Sequence, residues 1–319
     1  MYLARCAVES RGVTDDTIRT YGESLLSWIE FLTRNGIEID DANEEILQRF
    51  RSEQCGFGVP SKSALSTATA NLRVAVVIQF YRWCGKNRHE SLLATYLSDQ
   101  TNRSRSLTPR VIRRHPKILS EEEIFALFRL VRPAYKLAFR WALVTGMRRF
   151  ELASLKCSAM PKPEVLAFQS DGLAKISLTR KGGRELTVYA PVSLVEETNW
   201  HVLTERVRPR PGFEDHIFVG RYGFPLSRRA LSAEYRRCAD LIGSESTLHH
   251  LRHTYAVSVL RYLHGANLRN NGEPSNPLKT LQVLMGHSSS ETTELYLRAM
   301  EVTSPDVVDA LLHLYGASI

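Results

Sequence analysis

The stretch 134-AYKLAFRWALVTGMRRFEL-152 decides the fold. Residues 134–144 contain no helix breaker and read as a helix, and Gly146 suits a left-handed C-terminal stop. A guanidinium at Arg148, just past that stop, can project into a cleft rather than along a surface. Upstream, 119-LSEEEIFALF-128 is a helix start. Ser120 can cap it, Glu123 completes a capping box, and the acidic residues sit in the positive first turn. Downstream, residues Lys175 to Thr179 and Glu185 to Tyr189 alternate around a Lys-Gly-Gly turn, which predicts an antiparallel hairpin. From about Ser227 the pattern is again mostly helical. This part of the chain is therefore mainly α with a small antiparallel sheet.

Toward the N-terminus, Ile18, Tyr21, Leu25, Trp28, Ile29 and Leu32 repeat at three and four after Asp15 and Asp16 as caps. A second amphipathic piece, DANEEILQRF, follows. A third helix is predicted from about Ser61 to Trp83, with Leu65, Ala68, Leu72, Val76, Phe80 and Trp83 on one face. Lys62, Arg73 and Arg82 fall elsewhere on it and give it a basic exposed side, which is either a solvated face or a DNA groove reader. Between Gln100 and Lys117 six residues are basic and none is acidic: Arg103, Arg105, Arg110, Arg113, Arg114 and Lys117. With Pro109 and Pro116 and no helical period, this stretch reads as an extended linker that lies on phosphates. The expected organisation is a helical domain over residues 1–99, a basic linker over 100–117 and a second domain over 118–319.

Composition removes whole classes. In 319 residues, 43% are hydrophobic and 24% charged, which supports packed cores and excludes wholesale disorder. No apolar run is long enough to span a bilayer, and the N-terminus lacks a secretory apolar stretch, so the expected location is the cytoplasm, with no membrane partner. The five scattered cysteines support neither a disulfide framework nor a zinc finger. A net charge of +8 suits a partner with a negative field, though solubility alone would also account for it.

Four segments carry the chemistry: TGMRRFEL around Arg148, TRKGGRELTV around Lys181, LHHLRHTYA with His249 and Arg252, and LMGHSSSETTELYL with His287 and Tyr296. His249 and Arg252 are three apart in a helical segment and share a face. His287 follows a glycine at an expected helix start. A cleft gathering two arginines, two histidines and a lysine would match an oxyanion such as a phosphodiester, whose nonbridging oxygens fit the planar guanidinium fork. No matching carboxylate cluster points to a two-metal site, so a side-chain nucleophile is the simpler alternative. The i, i+4 pair His249 and His253 imitates a zinc spacing, but the Glu of HExxH is missing. Taken singly, each segment is also what a surface arginine, a turn lysine or a half-buried tyrosine looks like.

Together and in this order, the four segments resemble the tyrosine recombinase (phage integrase) family. The resemblance covers roughly the last two hundred residues well and the first domain more loosely. It implies Arg148 and Arg252 as catalytic arginines, Glu151 as the supporting acid, Lys181 as the mobile catalytic lysine, His249 and His287 as catalytic histidines, and Tyr296 as the nucleophile. It further implies a helical, SAM-like core-DNA-binding domain before a catalytic domain. The expected reaction is metal- and ATP-independent, with no cofactor: a 3′-phosphotyrosyl bond forms, a 5′-hydroxyl leaves, and two rounds of exchange pass through a four-way junction. The implied partners are double-stranded DNA with a core site and, at synapsis, three further copies of the chain. The free protein is expected to be a monomer or weak oligomer in a prokaryotic or mobile-element setting, with accessory DNA-bending proteins as further candidates. Type IB topoisomerase-like relaxation and a non-catalytic DNA-binding relative are the alternatives. Arg180 stands where the family's hairpin often has Gly. The stretch from His264 to Lys279 is longer than the family pattern and reads as a polar loop. Residues 304–319 carry an apolar stripe, expected to pack in cis or dock on the next protomer.

Overall fold

Thirteen α-helices, a short 3-10 helix (Cys157–Ala159), a π-helical turn (His201–Glu205) and one hairpin make up the regular structure of the described residues, in a computed structural model. It describes residues 2–9, 15–56, 65–87, 89, 91–98, 117–166, 172–179, 185–269 and 276–286. The chain divides into two compact units, Met1–Arg113 and Arg114–Ile319.

The first unit holds α1 (Tyr2–Glu9), α2 (Asp15–Arg34), α3 (Glu44–Gln54), α4 (Thr67–Lys86) and α5 (Leu92–Ser98). Aromatic rings organise its core. Trp28, Phe31 and Phe50 are fully buried, and Trp28 meets Phe50 edge-on at 5.0 Å. The indole of Trp28 donates to the Tyr81 hydroxyl at 3.2 Å, which donates onward to the Ile39 carbonyl at 2.7 Å. Both polar handles are thereby satisfied inside an apolar core. Asn43 caps α3 and Ser66 caps α4.

The second unit holds α6 (Glu121–Leu130), α7 (Pro133–Thr145), α8 (Arg149–Ala153), α9 (Pro163–Leu166), β1 (Leu173–Thr179), β2 (Glu185–Pro191), α10 (Val192–Trp200), α11 (Arg228–Leu241), α12 (Leu248–Arg269) and α13 (Pro277–Met285). The capping box at α6 is present, with the Ser120 amide on Glu123 at 3.0 Å and the Glu123 amide on the Ser120 hydroxyl at 3.2 Å. Gly146 ends α7 at φ 65°. The hairpin pairs Leu173 with Pro191 through Thr179 with Glu185. Its inward residues Ala174, Ile176, Leu186, Val188 and Ala190 join the core around Trp141, Phe139, Leu152 and Leu251. Truncating Trp141 to Ala would cost about 3–5 kcal/mol.

Three expectations need correction. The buried residues of α4 are Ala70, Val74, Val76, Val77, Ile78, Tyr81 and Cys84; of the expected stripe Val76 is buried, whereas Ala68 and Leu72 are exposed and Phe80 and Trp83 are half-buried. This helix is apolar on most sides, so several stripes fit its sequence equally well. Arg73 does not stand on an exposed face: it is half-buried and donates to Ser27 Oγ at 2.9 Å and to Gln54. The polar loop expected over 264–279 is shorter, because α12 runs unbroken to Arg269 and α13 starts at Pro277 behind the Asn276 cap. Gly286 terminates α13 at φ 56°, and the helix start expected at His287 lies outside the described residues. Among the described residues, no helix is long and apolar enough to cross a membrane.

Candidate active site

A cavity of about 550 Å³ opens in the second unit, lined by Met147, Arg148, Arg149, Phe150, Ser232, Tyr235, Arg236, Thr247, Leu248 and His249. Three of these side chains are guanidinium groups, and none of the described lining residues is a carboxylate. The cavity is built where the stop of α7, the start of α8, one face of α11 and the first turn of α12 meet.

Arg148 is the N-cap of α8, and its extended backbone turns its side chain out of the helix. Its amide donates to Glu151 Oε2 at 2.7 Å, and its guanidinium lies 3.5 Å from Glu151 Oε1. Glu151 is buried beneath it. One carboxylate thus holds the backbone and the base of the side chain, while the rest of the guanidinium stays available to the cavity. The capping-box position of Glu151 explains why an acid stands three residues after this arginine.

Gly146 is required twice over. Its φ of 65° disfavours any side chain, and a Cβ there would fall 2.5 Å from Tyr255 Cδ1 and 3.1 Å from Met285 Sδ. The stop of α7 is therefore pressed directly onto α12 and α13.

Arg252 is buried and does not line the cavity. Its guanidinium donates to the Gly146 carbonyl and, at 3.0 Å, to the Met285 carbonyl. These are the carbonyls at the ends of α7 and α13, so one planar fork ties together the termini that lead into the Arg148 and His287 segments.

His249 faces solvent on its outer side but is packed underneath, 4.5 Å from the His253 ring in an edge-on contact. Desolvation first, then the charges of Arg252 and Arg148, push its imidazole down to about 4. His253, desolvated and beside the other two imidazoles, is pushed down to about 3. His250 is lowered as well, chiefly by desolvation, and its Nδ1 accepts the Thr247 amide at 2.7 Å. Near neutral pH the His249 ring is uncharged and can accept a proton. Tyr235 also reaches the cavity wall, but burial pushes its phenol up to about 12 while its hydroxyl engages Ser246 at 3.0 Å. It is therefore unsuited to be a nucleophile.

Of the residues singled out from sequence, the structure brings Arg148 and His249 into one cavity, with Glu151 below and Arg252 bracing behind. Arg82 is exposed on α4, beside a separate cavity of about 330 Å³ in the first unit. Lys181, His287, Tyr296, Lys62, Arg103, Arg105, Arg110, Arg113 and Arg114 lie outside the described residues. Arg149 and Arg236 were missed as cavity residues. The signal was present, since Arg229 and Arg236 stand seven apart on a helix whose Ser227 cap is legible, and Arg149 adjoins Arg148.

Residues 117–301 match the sequence model of the family described as "Phage integrase family". Among curated proteins, the chain is 26% identical over 306 residues to "Tyrosine recombinase XerD" of Halalkalibacterium halodurans, covering 93% of this chain and 91% of that one. It is 25% identical over 295 residues to "Tyrosine recombinase XerC 2" of Ralstonia nicotianae, covering 89% and 77%. Among solved structures, it is similar in fold to the XerH site-specific recombinase in a post-cleavage complex with palindromic difH substrate. That likeness has a TM-score of 0.64 and 20% identity, over 90% of this chain and 79% of that one. It is also similar to a lambda integrase tetramer bound to a Holliday junction, with a TM-score of 0.58 and 17% identity over 91% and 77%.

Proposed function

The chain belongs to the phage integrase family and acts as a site-specific tyrosine recombinase, and we propose that Tyr296 is its nucleophile and the cationic cavity its phosphate site. The observation that carries this reading is the meeting of Arg148 and His249 in one cavity whose described wall holds three guanidinium groups and no carboxylate. Such a wall is matched by a nonbridging phosphate oxygen pair.

In the proposed step, the Tyr296 phenolic oxygen forms a bond to phosphorus as the bond to the 5′ oxygen breaks. Neutral His249 takes the phenol proton, and Lys181 supplies a proton to the departing 5′ oxygen, leaving a 5′-hydroxyl and a 3′-phosphotyrosine. Arg148 offsets the charge of the pentacoordinate state at the cavity wall, Arg252 adds its positive field from behind that wall, and His287 hydrogen-bonds the phosphate. The phosphodiester energy is kept in the covalent link, so the partner strand's 5′-hydroxyl can reverse the step. The substrate is duplex DNA with a core site, and the synaptic assembly is a tetramer, in keeping with the tetrameric arrangement of the lambda integrase neighbour. The helical first unit serves as the core-DNA-binding domain, the basic stretch 100–117 as the strap between the domains, and the cytoplasm as the place of action.

A nicked suicide DNA site tests the proposal. The wild-type chain is expected to form a denaturation-resistant adduct that Tyr296→Phe abolishes. An adduct that persists in Tyr296→Phe, or none with the wild type on DNA that supports its recombination, would overturn it.

A further inference from the structure

The carboxyl end of the basic stretch is fastened to the helix that carries His249 and Arg252, and the fastening point is one hydroxyl. The Leu119 amide donates to Thr254 Oγ1 at 3.0 Å, across 135 residues of sequence. Thr254 donates its own proton to the His250 carbonyl one turn back, at 2.8 Å. Both Leu119 and Thr254 are buried, so this amide has no water to fall back on. Ile118 adds an apolar clamp, packing against the cluster of Tyr255, Ala256, Val257, Leu260, Leu281 and Met285. That cluster is shared by α12, which carries Arg252, and α13, whose end Arg252 ties to the stop of α7. Beyond Leu119 the chain continues into the Ser120 cap, and Glu123 of that capping box accepts the Ser244 hydroxyl at 2.9 Å. Ile118 and Leu119 are thus fastened to α12, and the start of α6 to the turn that leads into it.

Thr254 sits two residues after Arg252 and five after His249, on the first turns of one rigid helix. A displacement of the strap end is therefore delivered to the guanidinium and the imidazole together, with no flexible segment between. From this juxtaposition, and resting on the recombinase reading above, we propose that Thr254 is a positioning residue that couples engagement of the 100–117 stretch to the placement of Arg252 and His249. A hydroxyl suits the role because it accepts from the strap and donates to the helix at once, which valine of the same shape cannot do.

The test uses the full chain on a suicide DNA site, reading single-turnover adduct formation separately from DNA affinity. Thr254→Val is expected to slow adduct formation about tenfold or more while Kd stays within about twofold, because misplacing a catalytic group by a fraction of an ångström acts on the chemical step. Thr254→Ser keeps the hydroxyl and is expected to stay near the wild-type rate. In a double-mutant cycle, Arg113→Gln in the strap is expected to slow the wild type but to add little in the Thr254→Val background, since the path is already cut. A purely structural threonine would lower Tm in Thr254→Val yet leave the cycle additive, and that outcome overturns the proposal, as does a wild-type rate in Thr254→Val. Absence of adduct with wild-type protein would count against the recombinase reading, and only a wild type that cleaves can count against Thr254.

Discussion

Two clusters of titratable groups lie on neighbouring helices of the second unit and are resolved in opposite ways. Around α11, the fully buried carboxylate of Glu234 receives Arg132 on one side and Arg237 on the other, plus the Arg132 amide at 3.0 Å. Burial alone would raise its pKa, but these donors hold it down to about 2. At the start of α12, His249 and His253 are also desolvated, but their charged neighbours are cations, and the rings stay neutral at about 4 and about 3. The first cluster satisfies its own charge. The second stands beside the Arg148, Arg149 and Arg236 guanidinium groups of the cavity wall, which a bound phosphodiester would suit.

The sharpest way to break this contrast is at Arg148. Arg148→Gln is expected to lower single-turnover adduct formation about 10²–10³-fold, the usual effect of removing one preorganised oxyanion donor. Glu151 would lose only a partly exposed partner, so the urea midpoint should move little. A rate within a few fold of wild type would place the phosphate elsewhere. Next in size is Gly146→Ala, which sets a Cβ against the Tyr255 ring in a left-handed conformation. Overpacking and backbone strain together are expected to cost about 2–4 kcal/mol in urea unfolding. Smaller still, Glu234→Gln should cost about 2 kcal/mol, because the arginines it leaves are more than one-third exposed and can regain water. Its adduct rate per folded molecule should match the wild type, which separates the self-satisfied cluster from the reactive one.

What was legible beforehand follows the same division. The Ser120 capping box, the Gly146 stop and the 173–191 hairpin are local, set by residues within one turn or one strand pair, and all three could be read from the chain. The shared cavity of Arg148 and His249 was legible because two short motifs each expose one side chain. Arg252's inward bonds were not, since its acceptors are backbone carbonyls 106 and 33 residues away and carry no residue-type signal. The Arg132–Glu234 pair spans 102 residues and was hidden for the same reason. The α4 stripe was misread because its sequence is apolar on most sides, so only packing against α2, α3 and α5 selects the buried face. At 264–269 the Ala and Leu residues extend α12 beyond the polar pattern that suggested a loop.

The smallest expected effect is a pH dependence that only one of the two clusters can produce. Unfolded imidazoles take up protons near their ordinary value of about 6.5, whereas those of His249 and His253 in the folded chain wait until about 4 and about 3. Between those limits the unfolded state binds more protons, so folding stability falls as pH drops from 6.5 and is unaffected by these groups above it. Glu234 contributes its stability above the ordinary carboxylate value of about 4.5 and loses it only as pH falls toward 2. Urea midpoints measured from pH 7 down to 5 therefore report the lowered histidines, those of this cluster together with His216 beside Lys156, and not Glu234. His249→Gln should flatten that slope, and Glu234→Gln should leave it intact. Core-site DNA should flatten it too, because a phosphate beside His249 stabilises the imidazolium and brings its folded pKa back toward 6.5. An unchanged slope in the presence of bound DNA would mean that the phosphate does not reach this pocket.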